Sequence, residues 1–145
     1  MLYLEYAKLR LKVQKLEDEL DKALDERQEI FERTQPKSVD YKKERVNSQS
    51  TVNTNDSYLI ALERRRIDER VKEYKSTLND RKTLLRAKES ELRVSNNRYD
   101  KVYCKIYLDC YKVGAISKEL NYSRSQVNRM LKEIRANIGR LQNEI

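Results

Sequence analysis

The chain has 145 residues, of which 39% are charged and 38% hydrophobic, with two Gly and one Pro. This balance is typical of long helices with narrow apolar faces and is too polar for one large globular core. The chain has no His, which excludes Cys/His zinc sites, Ser-His-Asp triads and Cys-His pairs. The net charge is +8, and residues 95–145 hold ten basic but only five acidic residues. We therefore expect a polyanionic partner near the C-terminal end.

Other classes of protein are disfavoured by what the sequence lacks. It has no Gly-rich phosphate loop and no spaced pair of carboxylates in a recognisable site, so we expect no enzyme activity, cofactor or metal. A disulfide between Cys104 and Cys110 is not expected, because helix positions six apart point in different directions. Both are expected to be reduced, partly buried thiols. The N-terminus lacks the order of a signal peptide and no apolar run has membrane-spanning length. A cytoplasmic protein without a membrane partner is expected.

Residues 1–33 place apolar side chains on alternating four- and three-residue steps, interrupted at Arg27. This spacing puts them on one side of a helix, at the a and d positions of a coiled coil. An amphipathic helix packed on a globular body is the alternative, but so polar a helix needs a partner for its apolar side. The apolar positions are Leu2, Tyr6, Leu9, Val13, Leu16, Leu20, Ala23 and Ile30.

Residues 34–56 predict a polar loop, because they contain the only Pro and many Ser, Thr, Asn and Gln residues. Asp56 or Ser57 is predicted to cap a second long helix over 57–94. Two long helices joined by a loop predict an antiparallel hairpin for residues 1–94, although a coiled coil between chains fits the spacing equally well. The apolar positions of the second helix are Ile60, Ile67, Val71, Tyr74, Leu78, Leu85 and Leu92.

One cluster of basic residues and one row of tyrosines each have a structural and a functional interpretation. The Arg64-Arg65-Arg66 cluster could contact phosphate, but a solvated helix face is favoured. After a predicted break at 95–97, a third helix is expected to end near Gly114. Its tyrosines could stack on bases, but their spacing among aliphatic residues favours a packed core. The apolar positions of this helix are Tyr99, Val102, Tyr103, Ile106, Tyr107 and Cys110.

The most specific signal lies in the segment AISKELNYSRSQVNRMLKEIRANIGRL, at 115–141. Residues 115–120 predict a short helix, and Asn121-Tyr122 a tight turn, because Asn tolerates the left-handed conformation. Ser123 followed by Gln126 predicts a capping box that starts a helix at Arg124. A short helix, a turn and a capped helix form the layout of a helix-turn-helix, whose second helix lies in the major groove. Residues 95–145 are thus predicted to be a DNA-binding domain.

The second helix divides into an apolar side and a polar side. The apolar side comprises Val127, Leu131, Ile134, Ile138 and Leu141. On the polar side, Arg pairs with guanine and Asn with adenine, whereas longer basic residues farther along the helix reach phosphates. Glu133 is expected to point aside, and a merely solvated basic face is the alternative. The predicted DNA-binding residues are Arg124, Ser125, Asn128, Arg129, Lys132 and Arg135, with Lys118 on the preceding helix.

The segment RYDKVYCKIYLDCYKVGAISKELNYSRSQVNRMLKEI, at 98–134, resembles the DNA-binding region of bacterial sigma factors. More narrowly, it resembles the phage regulators of the ArpU and RinA type, with further similarity around VDYKKERVNSQS. Ser117 stands where the usual pattern has Ala, and Gly114-Ala115 where many members have a bulky aromatic residue. The resemblance implies a helical protein that activates late genes of phages in Gram-positive bacteria.

Together these observations predict an all-α protein with a helical hairpin or coiled coil followed by a helix-turn-helix. The expected function is sequence-specific binding of double-stranded DNA in transcription regulation. A homodimer on paired half-sites is expected, because one such module contacts few base pairs, and RNA polymerase is a further expected partner. A small terminase subunit for DNA packaging and a coiled-coil adaptor are the alternatives.

Overall fold

A computed structural model describes residues 1–34 and 54–144, and in this part of the chain the ordered elements are helices, with no strand. The prediction of an all-α protein is confirmed. Part of the predicted loop, residues 35–53, lies outside the described residues. None of the described helices is both long enough and apolar enough to cross a membrane. The helices are α1 (Leu2–Thr34), α2 (Thr54–Arg93), α3 (Arg98–Tyr103), α4 (Val113–Leu120) and α5 (Arg124–Glu144), and a π-helical turn, Cys104–Leu108, continues α3.

The chain forms two compact units whose boundaries differ from the division at residue 94 expected from the sequence. The central unit is Leu16–Leu78, and the terminal unit combines Met1–Lys15 with Asn79–Ile145. The start of α1 and the end of α2 therefore pack with the three C-terminal helices. The core of the terminal unit explains this grouping, because two tyrosines near the start of α1 belong to it.

In the central unit, α1 and α2 share a small apolar core of Ala23, Ile30, Ile67 and Val71. All four were predicted from the four- and three-residue steps. Exposed ion pairs lie beside this core, with 3.8 Å between Arg27 and Asp68 and 3.4 Å between Arg70 and Glu26. Of the arginine cluster, Arg64 lies 5.3 Å from the centroid of the Phe31 ring, while Arg65 and Arg66 are exposed.

The core of the terminal unit combines aliphatic side chains with a group of tyrosines. The ring of Tyr3, fully buried, stacks on that of Tyr103 at 5.6 Å, and Tyr103 stacks on Tyr107 at 4.7 Å. Ile116 and Val127 pack in the same core and are also fully buried. The prediction that the tyrosine row forms a packing face is confirmed. Burial raises the pKa of the Tyr103 hydroxyl to about 12, since the charged form would lose its hydration.

The buried carboxylate of Asp100 ties the start of α1 into this core. It accepts hydrogen bonds from the backbone N–H of Tyr3 at 2.9 Å and from the Ser95 hydroxyl at 2.7 Å. The first N–H groups of a helix lack partners within the helix, and the dipole of the helix favours negative charge at that end. Asn137 of α5 donates a further bond to the Tyr3 hydroxyl at 2.9 Å. Residues far apart in sequence therefore meet at Tyr3.

The predicted break between α2 and α3 is confirmed, but the predicted start of α2 is wrong. The side chain of Asn97 accepts a hydrogen bond from the N–H of Tyr99 at 2.9 Å and caps α3. The second long helix begins at Thr54, so Asp56 and Ser57 lie within it. The polar composition of the preceding residues predicted that a helix follows, but it did not predict the residue at which the helix begins.

The third helix is shorter than the sequence predicted. Its π-helical turn ends at Leu108, and the N–H of Tyr111 donates to the carbonyl of Lys105 at 2.8 Å. Cys110 lies beyond the helix in a left-handed conformation with φ 57°, and Gly114 belongs to α4. Both thiols are free; Cys104 is buried, but Cys110 is exposed. The expectation of a helical, partly buried Cys110 is therefore wrong.

Candidate nucleic-acid interface

A tight turn joins α4 to α5, as the sequence predicted. Asn121 ends α4 in the left-handed conformation, with φ 58° and ψ 35°. The N–H of Tyr122 donates to the carbonyl of Ser117 at 3.2 Å, and the Ser117 hydroxyl donates back to the carbonyl of Tyr122. Asn is among the few residues that adopt this conformation at low cost. The turn therefore follows directly from the residue at position 121.

The start of α5 is fixed by a reciprocal cap. The Ser123 hydroxyl accepts a hydrogen bond from the N–H of Gln126 at 3.2 Å, and the Gln126 side-chain oxygen accepts one from the N–H of Ser123 at 3.1 Å. Two N–H groups that the helix cannot satisfy gain partners in this way. The predicted capping box and the predicted first residue, Arg124, are confirmed.

The apolar side of α5 sets the orientation of its polar side. Val127, Leu131 and Ile134 are buried as predicted, and Met130 is buried with them. Ile138 packs against the same core from the edge. Burying an aliphatic side chain of this size stabilises a protein by about 1.5–3 kcal/mol, so rotation of α5 about its axis would be costly. The opposite side is thereby held toward solvent.

All seven predicted binding residues are exposed, and six of them lie on one side of α5. With 3.6 residues per turn, these six fall within an arc of about 140°. We call this side the outer face of α5. Its residues are Arg124, Ser125, Asn128, Arg129, Lys132 and Arg135. Lys118 is exposed on the neighbouring helix α4.

Two acidic residues of the C-terminal segment bind partners away from the outer face. The carboxylate of Asp109 binds Arg93 at 3.2 Å, and that of Glu119 binds Lys105 at 3.0 Å. These hydrogen bonds raise the pKa of Arg93 and of Lys105. In contrast, no basic residue of the outer face is in an ion pair with a described acidic residue. The outer face therefore has little negative charge to offset its cations.

Glu133 lies beside the outer face and not on it. Its carboxylate accepts a hydrogen bond from the Tyr99 hydroxyl, with 2.6 Å between the oxygens. This bond raises the pKa of Tyr99, because only the protonated hydroxyl can donate it. Loss of the proton would also place a second negative charge beside the Glu133 carboxylate. The expectation that Glu133 points aside is confirmed.

One border of the outer face lies where Arg124 crosses α4. A Cβ atom built at Gly114 would lie 3.3 Å from a terminal nitrogen of the Arg124 guanidinium. The missing side chain at Gly114 therefore leaves the space in which Arg124 rests. The role of Gly114 could not be predicted from the sequence, because the approach of Arg124 depends on how α4 and α5 pack.

The other border is a cleft between α3 and α5 that the sequence did not predict. Its volume is about 200 Å³, and it is lined by Arg98, Tyr99, Tyr122, Gln126, Arg129 and Met130. We call it the α3–α5 cleft. Arg129 belongs both to the cleft and to the outer face, so the two surfaces are continuous. No spacing rule connects Arg98 with Arg129, because they lie on different helices.

No metal site can be assigned in the parts of the chain that the structure describes, where no three His, Cys, Asp or Glu side chains cluster to bind an ion. No protein-family model, curated protein or solved structure matches the chain. The arrangement of its own side chains is thus the basis for assigning a function.

Proposed function

We propose that the protein is a transcription regulator that binds specific sequences in double-stranded DNA. In this proposal α4, the turn at Asn121 and α5 form a helix-turn-helix, with α5 as the recognition helix. The observation that carries the proposal is the outer face of α5, where basic and amide side chains are exposed without acidic partners among the described residues. A major groove about 12 Å wide admits a helix of this kind.

The first two turns of α5 supply the base contacts in this proposal. Arg124 and Arg129 have guanidinium groups that pair with guanine in two parallel hydrogen bonds, and the Asn128 amide pairs with adenine in the same way. The Ser125 hydroxyl can donate to or accept from a base edge. These four residues lie nearest the N-terminus of α5, the part of a recognition helix that contacts bases.

Phosphate contacts come from residues around the base-contacting ones. Lys132 and Arg135 extend from later turns of the outer face, and Lys118 extends from α4. Long cationic side chains in such positions bind the backbone of either strand without regard to sequence. They also release counterions, so affinity should fall as salt rises.

We further propose that the regulator acts as a homodimer in the bacterial cytoplasm. A single helix-turn-helix contacts few base pairs, and a dimer on paired half-sites supplies the affinity that one module lacks. The resemblance to late regulators of phages supports an activator that contacts RNA polymerase. Light scattering of the full chain tests the dimer, and a strict monomer, free and DNA-bound, would remove this part of the proposal.

The decisive experiment begins with selection of bound duplexes from a random library, because no operator is known. Fluorescence anisotropy on the selected duplex then compares wild type with Asn128→Ala and Arg129→Ala. Each substitution should cost about 1–3 kcal/mol and relax the base preference at one position. Arg86→Ala is the matched control, since Arg86 is exposed on α2 in the same unit. If both variants bind like the control, α5 is not the base-contacting helix.

The cellular role is tested by mapping the DNA that the protein occupies in a bacterial host. Occupancy of a promoter, with loss of its transcription in the Asn128→Ala strain, is the expected result. Occupancy confined to a packaging start would instead assign the protein to DNA packaging. Absence of any salt-sensitive DNA binding would leave an adaptor role and refute the proposed function.

A further inference from the structure

We propose that the α3–α5 cleft binds a phosphate of the DNA backbone, with Arg98 as the main contact. This inference rests on the proposed function and extends the contact surface to a third helix. The seven residues predicted from the sequence lie on α4 and α5. Arg98 adds α3, so that basic residues flank the recognition helix on both sides.

The position of the cleft relative to the outer face is the first argument. A helix in the major groove has one strand's backbone along each of its flanks. One flank of α5 borders α4, where Arg124 crosses Gly114 and Lys118 is exposed. The other flank borders the cleft through Arg129. The strand on that side would pass over the cleft.

The chemistry of the lining residues is the second argument. The guanidinium group of Arg98 lines this small cleft, and such a group binds phosphate oxygens through paired N–H donors. Arg129, which the proposed function assigns to a base, adds positive charge beside it. Gln126 uses its side-chain oxygen in the cap of α5, and its amino group is a further donor. Met130, which is largely buried, forms the apolar part of the cleft lining.

The charge balance of the cleft is the third argument. Glu133 is the acidic neighbour, and its carboxylate is bound by the hydroxyl of Tyr99, a residue of the cleft wall. Asp100 follows in sequence but is buried and bonded to Tyr3 and Ser95. Arg98 is exposed and has no ion pair with a described acidic residue. The cleft therefore has two cationic side chains and, beside them, one carboxylate that already accepts a hydrogen bond. This balance of charge favours the binding of an anion.

The first test compares the full-length Arg98→Gln variant with wild type on the selected duplex across a range of salt concentrations. We expect about three- to tenfold weaker binding and a log-log salt slope shallower by about 0.9, the value for one lost phosphate contact. The base preference should be unchanged, since phosphate contacts carry no sequence information. Arg86→Gln, which removes the same charge from α2 in the same unit, should leave both affinity and slope unchanged. Matching thermal melts establish that both variants are folded.

The second test uses duplexes in which a single phosphate is replaced by a neutral methylphosphonate. One position outside the base-contacted steps should weaken binding of wild type but not further weaken Arg98→Gln. An Arg98→Gln variant that behaves like Arg86→Gln would overturn this inference and leave the proposed function intact. The same holds if every methylphosphonate weakens both proteins equally. If wild type binds no duplex, the proposed function and this inference both fail.

Discussion

Charged residues have different roles in the central and terminal units. In the central unit, exposed charges of α1 and α2 pair across the contact between these helices, as Arg27 does with Asp68. In the terminal unit, acidic side chains bind partners away from the outer face of α5, so its cations stay open. Charge content already distinguishes the two units, because Leu16–Leu78 holds 13 basic and 15 acidic residues, whereas Met1–Lys15 with Asn79–Ile145 holds 19 basic and 9 acidic residues. The pattern of pairing distinguishes them further.

The two units also differ in how their cores are built. The central unit has a narrow core of aliphatic side chains, in which Ala23 and Val71 are among the buried residues. The terminal unit has stacked tyrosines and a buried carboxylate. A core of this second kind fixes the directions of several helices at once, as the proposed DNA-binding surface would require. Changes in the terminal core should therefore have the largest effects.

Tyr3→Ala should be the most damaging of the substitutions considered. It removes a fully buried ring that stacks on Tyr103 and a hydroxyl that binds Asn137. Loss of a buried aromatic side chain costs about 3–5 kcal/mol. Urea unfolding followed by circular dichroism measures the change, and Tyr58→Ala, at a position 68% exposed, is the control. Equal stability of the two variants would show that α1 does not contribute to the terminal core.

Alkaline pH should destabilise the terminal unit through Tyr103. Because burial raises its pKa from 10.0 to about 12, the folded chain holds this proton more tightly than the unfolded chain. The contribution is complete below pH 10 and is lost as pH rises toward 12, at roughly 3 kcal/mol in total. Urea unfolding between pH 8 and pH 12 measures the loss. Tyr103→Phe should reduce it, and Tyr58→Phe should not. A wild-type and Tyr103→Phe difference that is constant with pH would contradict the prediction.

Lys132→Ala should weaken binding to all duplexes alike, by about 1 kcal/mol or less at moderate salt, and make the salt slope shallower by about 0.9. The cause is loss of one cation on the outer face that has no acidic partner among the described residues. Lys75→Ala removes the same charge from an exposed position of the central unit and should change neither quantity. Indistinguishable slopes for the two variants would remove the contrast between the units.

Gly114→Ala should change the preference for bases in DNA without lowering the free energy of unfolding. The new Cβ would lie 3.3 Å from the Arg124 guanidinium, which must shift by a few tenths of an ångström. Ala also favours the helical conformation over Gly by roughly 0.5–1 kcal/mol, so the unfolding free energy should not fall. Base preference should relax only at the position that Arg124 contacts, measured by repeating the selection. Gly139→Ala is the control, since a Cβ there meets no atom within 4 Å. A preference identical to that of Gly139→Ala would show that Arg124 tolerates the new methyl group.

Arg27→Ala should have the smallest effect. The guanidinium is 3.8 Å from Asp68, and both side chains are about half exposed or more. Exposed pairs of this kind contribute about 0–1 kcal/mol, and salt screens them further. A double-mutant cycle with Asp68→Asn measures the coupling at low and high salt. A coupling above about 2 kcal/mol would mean that ion pairs, and not the aliphatic core, hold the central unit together.

The periodic features of the fold could be predicted from the sequence. The helical period identified the apolar positions of α1, α2 and α5, and the Asn121 turn and Ser123 cap followed from local chemistry. The exposed outer face of α5 followed from the same period. These features depend on neighbours within a few residues, which a sequence displays directly.

Features that depend on contacts between distant segments could not be predicted. Tyr3 lies off the a and d positions, and its burial depends on Asp100 and Tyr103. The end of α3 at a π-helical turn has no composition signal, so Cys110 was placed on a helix to which it does not belong. The α3–α5 cleft needs two helices brought together by packing. In each case tertiary structure overrides the local pattern.

The bond between Tyr3 and Asp100 has a consequence for how the molecule folds. It joins residues 97 positions apart, and the bond from Asn137 spans 134 positions. Contacts of such long range form slowly because a large loop must close first. During synthesis the first turn of α1 leaves the ribosome before its partners exist, so its tyrosines stay exposed until the segment from Asp100 to Asn137 has been made. Nascent chains stalled before Asn137 should therefore be prone to aggregate and to engage chaperones.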